Sequence, residues 1–128
     1  MDIEKVDGVP IARVHEDIDA ASVTAIRQQL ADALGPDALG LVIDLSEVRY
    51  LDSAGIDMLL RLGDRLDQRR AYLSLVIPDD SQLKRLADLV GLPKAVAVHP
   101  SLPAALGEAA KIQAEQGEAP RPDSDRVI

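Results

Sequence analysis

Residues 39–45 read Leu-Gly-Leu-Val-Ile-Asp-Leu, a nearly continuous apolar run with no polar face. It is too short for a helix, and a strand apolar on both sides needs cover above and below, as in a parallel sheet. A strand of that kind must be central, so the rest of the chain has to supply the layers that bury it.

The flanking segments have the pattern to do so. Residues 9–14 contain Val9, Ile11 and Val14 but also Pro10, which predicts a strand nearer the sheet edge. Val23, Ile26, Leu30, Ala33 and Leu34 recur at helical spacing before Gly35-Pro36, predicting an amphipathic helix capped near Asp19 or Ser22. Ile56, Leu59, Leu60, Leu62 and Leu66 make a second stripe, over residues 56–70. A strand over 72–77, a short helix over 81–90, a last short strand over 95–98 and a fourth helix from Ser101-Leu102-Pro103 follow. Alternating strands and helices with short right-handed crossovers define a single small α/β domain, with a mixed, mainly parallel β-sheet and about four helices packed on it. We place that domain at 1–115. Residues 116–128, rich in Pro, Arg and Asp without periodicity, read as a disordered C-terminal tail.

Composition narrows the function. The chain has 128 residues and a formal charge of -8, with two tyrosines and neither Phe nor Trp. Phosphate-backbone binders carry basic stripes and base-stacking platforms need aromatics, so direct nucleic-acid binding is not expected. No apolar run approaches membrane-spanning length and the first residues lack the order of a signal peptide, so neither membrane insertion nor export is expected. The absence of cysteine removes thiolate chemistry and fits a cytoplasmic location. His15 and His99 are lone histidines without metal-ligand spacing, and no nucleophile elbow, phosphate loop or dinucleotide fingerprint is present. We therefore expect no enzyme activity, metal or cofactor.

One turn stands out. Asp52-Ser53-Ala54-Gly55-Ile56 joins the central strand to the second helix, beyond the carboxyl end of the strand, where α/β sheets place ligands and partners. Ser53 is read either as a plain helix cap or as a switch, since a phosphate at a helix start is stabilised by unpartnered N–H groups. Gly55 permits a special backbone angle, the slightly favoured reading, or a close approach to a neighbouring element. Asp44 is placed at a strand end, bonding loop N–H groups. Asp79-Asp80 is read as capping the third helix, and the charge series from Arg61 to Arg70 as a solvated face. Asp17 and Asp19 lie on a strand-to-helix connection expected at the same end of the sheet as the turn.

These residues resemble the STAS domain and, within it, bacterial anti-sigma factor antagonists. The resemblance rests on Glu16-Asp17-Ile18-Asp19, on Leu41-Val42-Ile43-Asp44-Leu45-Ser46-Glu47-Val48, on Tyr50-Leu51-Asp52-Ser53-Ala54-Gly55-Ile56, and on Leu83, Leu86 and Val90-Gly91-Leu92 at the family's spacing. It implies a non-enzymatic regulator that captures an anti-sigma factor with serine kinase activity while Ser53 is unphosphorylated and releases it afterwards, with a phosphatase as a further candidate partner. Ser53 falls on the family's phosphoacceptor position and Asp19 on its nearby acidic residue. The implied partner-binding set is Asp17, Asp19, Asp52, Ser53, Ala54, Gly55, Ile56 and Asp57. Three positions depart from the usual pattern: Ala54 stands for Ser or Thr, Asp57 for a small residue, and Asp17 for Glu. Ala54 leaves Ser53 available, whereas Asp57 adds charge beside the turn. The resemblance also admits a structural alternative, the small cytoplasmic STAS subunit of a lipid-transport ABC system.

Overall fold

The computed structural model describes residues 1–116, and the predicted tail beyond them lies outside that range. Ten elements follow in order: β1 (Asp2–Val6), β2 (Val9–Arg13), α1 (Val23–Ala33), β3 (Gly40–Asp44), α2 (Ser53–Gln68), β4 (Tyr72–Val76), α3 (Gln82–Leu89), α4 (Leu92–Ala95), β5 (Ala97–His99) and α5 (Leu102–Gln116). The strands form one sheet in the order β1-β2-β3-β4-β5. β1 runs antiparallel to β2, and every other neighbouring pair is parallel.

The apolar run is central, as its pattern requires, and its two faces enter different cores. Leu41 and Ile43 pack with Ala12, Leu73 and Leu75 beneath Ile26 and Leu30 of α1, Leu59 and Leu66 of α2, and Leu83 of α3. Val42 points to the other side with Ile11 and Val76, where α5 covers it through Ala105 and Ala109, both fully buried. Alternate residues of a strand face opposite ways, so one five-residue strand feeds both layers. Two small residues on α5 allow that helix to lie close to the sheet.

Two elements, β1 and α4, are added to those the sequence predicts. The strand containing Pro10 lies second from the edge, nearer to it than β3 as expected, with β1 pairing along its outer side. Pro10 sits opposite Lys5, outside the stretch beginning at Ile11 that pairs with β3, so its missing N–H costs no parallel-ladder bond. The β1–β2 connection is Asp7-Gly8, both with positive φ, of 52° and 83°. Such a two-residue turn matches the right-handed twist of a hairpin. β1 is largely exposed on both faces, so it carries no burial pattern that periodicity could detect. The structure also adds the one-turn α4, entered through left-handed Gly91.

Candidate functional site

Parallel pairing brings the loops after β2 and β3 to one end of the sheet, where they fasten to each other. Ile18 and Leu51 form an isolated parallel bridge. The Ile18 N–H donates to the Tyr50 carbonyl at 3.3 Å, and the Asp52 N–H donates to the Ile18 carbonyl at 3.2 Å. Side chains reinforce the clasp from both loops. One Asp17 oxygen accepts the N–H groups of Arg49 and Tyr50, at 3.0 and 3.2 Å. Asp52 reaches back with one oxygen to the Ala20 N–H, at 3.0 Å. Asp19 turns inward on its own loop, accepting the N–H groups of Ala21 and Ser22, each at 3.0 Å. Loop N–H groups that no ladder can satisfy thus find carboxylate acceptors.

The start of α2 differs from the sequence-based reading. Asp52, not Ser53, is the N-cap: its second oxygen accepts the Gly55 N–H at 3.0 Å. Ser53 occupies the first helical position, exposed, with no side-chain hydrogen bond among the described residues. From the N-cap a carboxylate reaches the N–H three residues on, whereas a side chain one position later is directed outward. The helix begins three residues before its apolar stripe because its first turn faces solvent in part. The spacing Asp52-x-x-Gly55 was the available signal. Likewise Ser81, rather than Asp79-Asp80, caps α3, its hydroxyl accepting the Lys84 N–H at 3.1 Å.

Gly55 owes its place to close approach, not to a special angle. A Cβ there would stand 2.6 Å from the Ile18 carbonyl oxygen and 3.1 Å from the Ile18 side chain. Its φ is not positive, which removes the slightly favoured alternative. Ala54 and Ile56 are half-buried, while Asp57 is exposed and paired with Arg61 at 2.6 Å, holding that guanidinium above its usual pKa. Asp44 ends β3 and accepts from the Ser46 N–H at 2.9 Å, as expected for a strand-end carboxylate. Of the charge series on α2, Arg69 is more than a solvated group, since it donates to the carbonyls of Gly35, Pro36 and Ala38. Tyr50, which the turn motif contains without a stated role, is half-exposed beside the clasp.

His15 lies at the rim of this end. Its Nε2 is 2.7 Å from Asp2 and its Nδ1 is 3.1 Å from Glu47. A neutral imidazole can donate to only one of them, so both contacts favour the imidazolium. The bond to Asp2, then that to Glu47, raises the His15 pKa, and the bond from His15 lowers that of Asp2. With the histidine raised and the aspartate depressed, the tie holds from below the usual aspartate range to above the usual histidine value near 6.5. Its contribution to stability is full between the unfolded pKa values of the aspartate and the histidine, is lost as pH rises through the folded histidine pKa, and is lost as pH falls through the folded aspartate pKa. An NMR titration of the His15 ring should give a midpoint above that of the same ring in Asp2→Asn. Equal midpoints would show that the contact is not populated.

Among the described residues no three His, Asp or Glu side chains converge as a metal site, and no helix is long and apolar enough to cross a membrane. A five-stranded sheet with a clasped pair of loops presenting an exposed serine at a helix start defines a small α/β domain. The chain belongs to the STAS-domain family, whose model matches residues 1–105. It is similar to the anti-sigma-F factor antagonist RsfB of Mycobacterium tuberculosis, 27% identical over 88 residues that cover 69% of this chain and 70% of that protein. The crystal structure of an anti-sigma factor antagonist from Mycobacterium paratuberculosis superposes with a TM-score of 0.75 at 29% identity, over 84% of this chain and 91% of that one. The anti-sigma factor antagonist SpoIIAA in its unphosphorylated form shares the fold, with a TM-score of 0.68 at 16% identity, over 86% of this chain and 96% of that one.

Proposed function

We propose that this chain is an anti-sigma factor antagonist that works by partner switching in the cytoplasm, without catalysis of its own. With Ser53 unmodified it captures an anti-sigma factor that is also a serine kinase, and phosphate on Ser53 ends the capture. A phosphatase would then reset the cycle. The observation that carries this reading is that Asp52 takes the capping role and leaves the Ser53 hydroxyl exposed and uncommitted. Modification can therefore change the surface without dismantling the helix start. A phosphoserine would bring nearly two negative charges beside Asp52 and Asp57, where the helix terminus tolerates them and a docked carboxylate or apolar surface does not.

The partner-binding residues divide by role in this proposal. Ser53, Ala54, Ile56 and Asp57 form the presented turn and the start of the helix. Asp17, Asp19, Asp52 and Gly55 shape it, since their polar or close contacts are spent within the clasp. The similarity to antagonists of mycobacterial origin supports the assignment of the partner class.

The test uses the purified anti-sigma factor kinase of the same organism. Ser53→Ala should bind it as the wild type does, and Ser53→Asp should bind at least about 100-fold more weakly, since juxtaposed like charges cost several kcal/mol at an interface. With ATP, mass spectrometry should find phosphate on Ser53 of the wild type. Equal affinities for the two variants would refute the switch.

A further inference from the structure

Beside Ser53 two of the helices that cover one face of the sheet, α1 and α2, leave an open groove with a charge opposite to that of the protein. Val23 of α1 with Met58 and Leu62 of α2 supply its apolar floor, and Arg27, Arg61 and Arg65 stand around it. Ala54 and Asp57 close the end nearest Ser53. Three arginines against one carboxylate make a local positive field on a chain whose formal charge is -8. Arg61 is already paired with Asp57, but Arg27 and Arg65 are exposed and make no ion pair among the described residues.

We propose that this α1–α2 groove is a docking site for an acidic, amphipathic segment of the anti-sigma factor kinase, laid beside the presented serine. The proposal rests on the partner-switching reading and extends it to a second contact. Apolar side chains of the segment would meet Val23, Met58 and Leu62, and its carboxylates would meet Arg27 and Arg65, whose planar forks suit bidentate pairing. From Ser53 to Arg65 the helix rises about 18 Å, room for roughly three turns of a docked helix. Charge decides the class of occupant. A nucleic acid or a membrane presents an extended anionic surface that would also meet the acidic remainder of the protein, and no aromatic side chain lines the groove for base stacking. A short acidic segment needs only the local field, because charges beyond about 8 Å are largely screened at physiological salt. A phosphate on Ser53 would lie at the Ala54–Asp57 end of such a segment and repel it, which couples the dock to the switch.

The experiment titrates the full chain into the purified kinase by calorimetry at low and high salt, comparing wild type, Arg27→Ala/Arg65→Ala and Arg27→Glu/Arg65→Glu. Circular dichroism melts monitor folding, and the alanine pair decides the matter if the glutamate pair fails to fold. The expected result is about 10-fold weaker binding for the alanine pair and about 100-fold for the glutamate pair, with a shallower salt dependence in both. In phosphotransfer, KM for the alanine pair should rise while kcat is retained, since neither arginine is at the phosphoacceptor. Unchanged affinity in both folded variants, with Ser53→Asp still weakened, overturns the dock and leaves the switch standing. Failure of the wild type to bind overturns both. Arginine-dependent binding to phosphatidylserine vesicles, with kinase affinity unaffected by the substitutions, would replace the protein segment by a membrane.

Discussion

Gly55→Val is expected to destabilise the domain by about 3 kcal/mol, with Gly55→Ala at about 1–3 kcal/mol, in urea unfolding. The added Cβ meets backbone rather than a side chain that could rotate away: the Ile18 carbonyl oxygen would be 2.6 Å from it. That same oxygen accepts the Asp52 N–H, so relieving the collision means opening the loop clasp. The Ile18 side chain, itself fully buried, blocks retreat in the other direction. Alanine inside a helix is otherwise favoured over glycine by roughly 1 kcal/mol. The sign of Gly55→Ala therefore measures which effect wins. A Gly55→Ala protein at least as stable as the wild type would show that α2 and the Ile18 loop can separate at little cost.

Asp52→Ala should cost about 1–2 kcal/mol, while Ser53→Ala should remain within about 0.5 kcal/mol of the wild type. The aspartate loses two interactions at once: the cap on the Gly55 N–H, worth about 1 kcal/mol, and the bond to the exposed Ala20 N–H in the opposite loop, which water can replace and which adds up to about 1 kcal/mol. Exposed Ser53 loses no described hydrogen bond. Asp52→Asn should fall between the two, because one carbonyl oxygen replaces two acceptors that face different loops. Chemical denaturation of the three variants checks the order. If Ser53→Ala proved as costly as Asp52→Ala, the serine would be serving as a cap and its freedom to be modified would be lost.

Both predictions concern contacts that local patterns do not carry. The alternation of strands and helices from β2 onward apart from α4, the double burial of β3, the approximate ends of α1 and α3 and the start of α5 were legible in the sequence, because they depend on periodicity and on Gly, Pro and Ser within a few residues. The resemblance of the turn motif was legible for the same reason, being contiguous. The cap of α2 was misplaced by one residue, Asp52 rather than Ser53, because adjacent Asp and Ser are both good caps and local sequence does not choose between them, and β1 was missed because a solvated hairpin strand carries no apolar signal, although Asp7-Gly8 marked its turn.

What the chain determined by itself is therefore the local alternation of elements and a serine near a helix start at the carboxyl end of a buried strand. Only the tertiary structure decided that Asp17 bonds Arg49 and Tyr50, that Asp52 bonds Ala20, that Gly55 lies against Ile18, and that arginines from α1 and α2 share a groove. The reason is physical. Those pairs are far apart along the chain, and whether a carboxylate meets an N–H, or a Cβ meets a carbonyl, depends on ångström-scale placement of one loop against another. Sheet register and helix packing set that placement, and local sequence periodicity does not encode it.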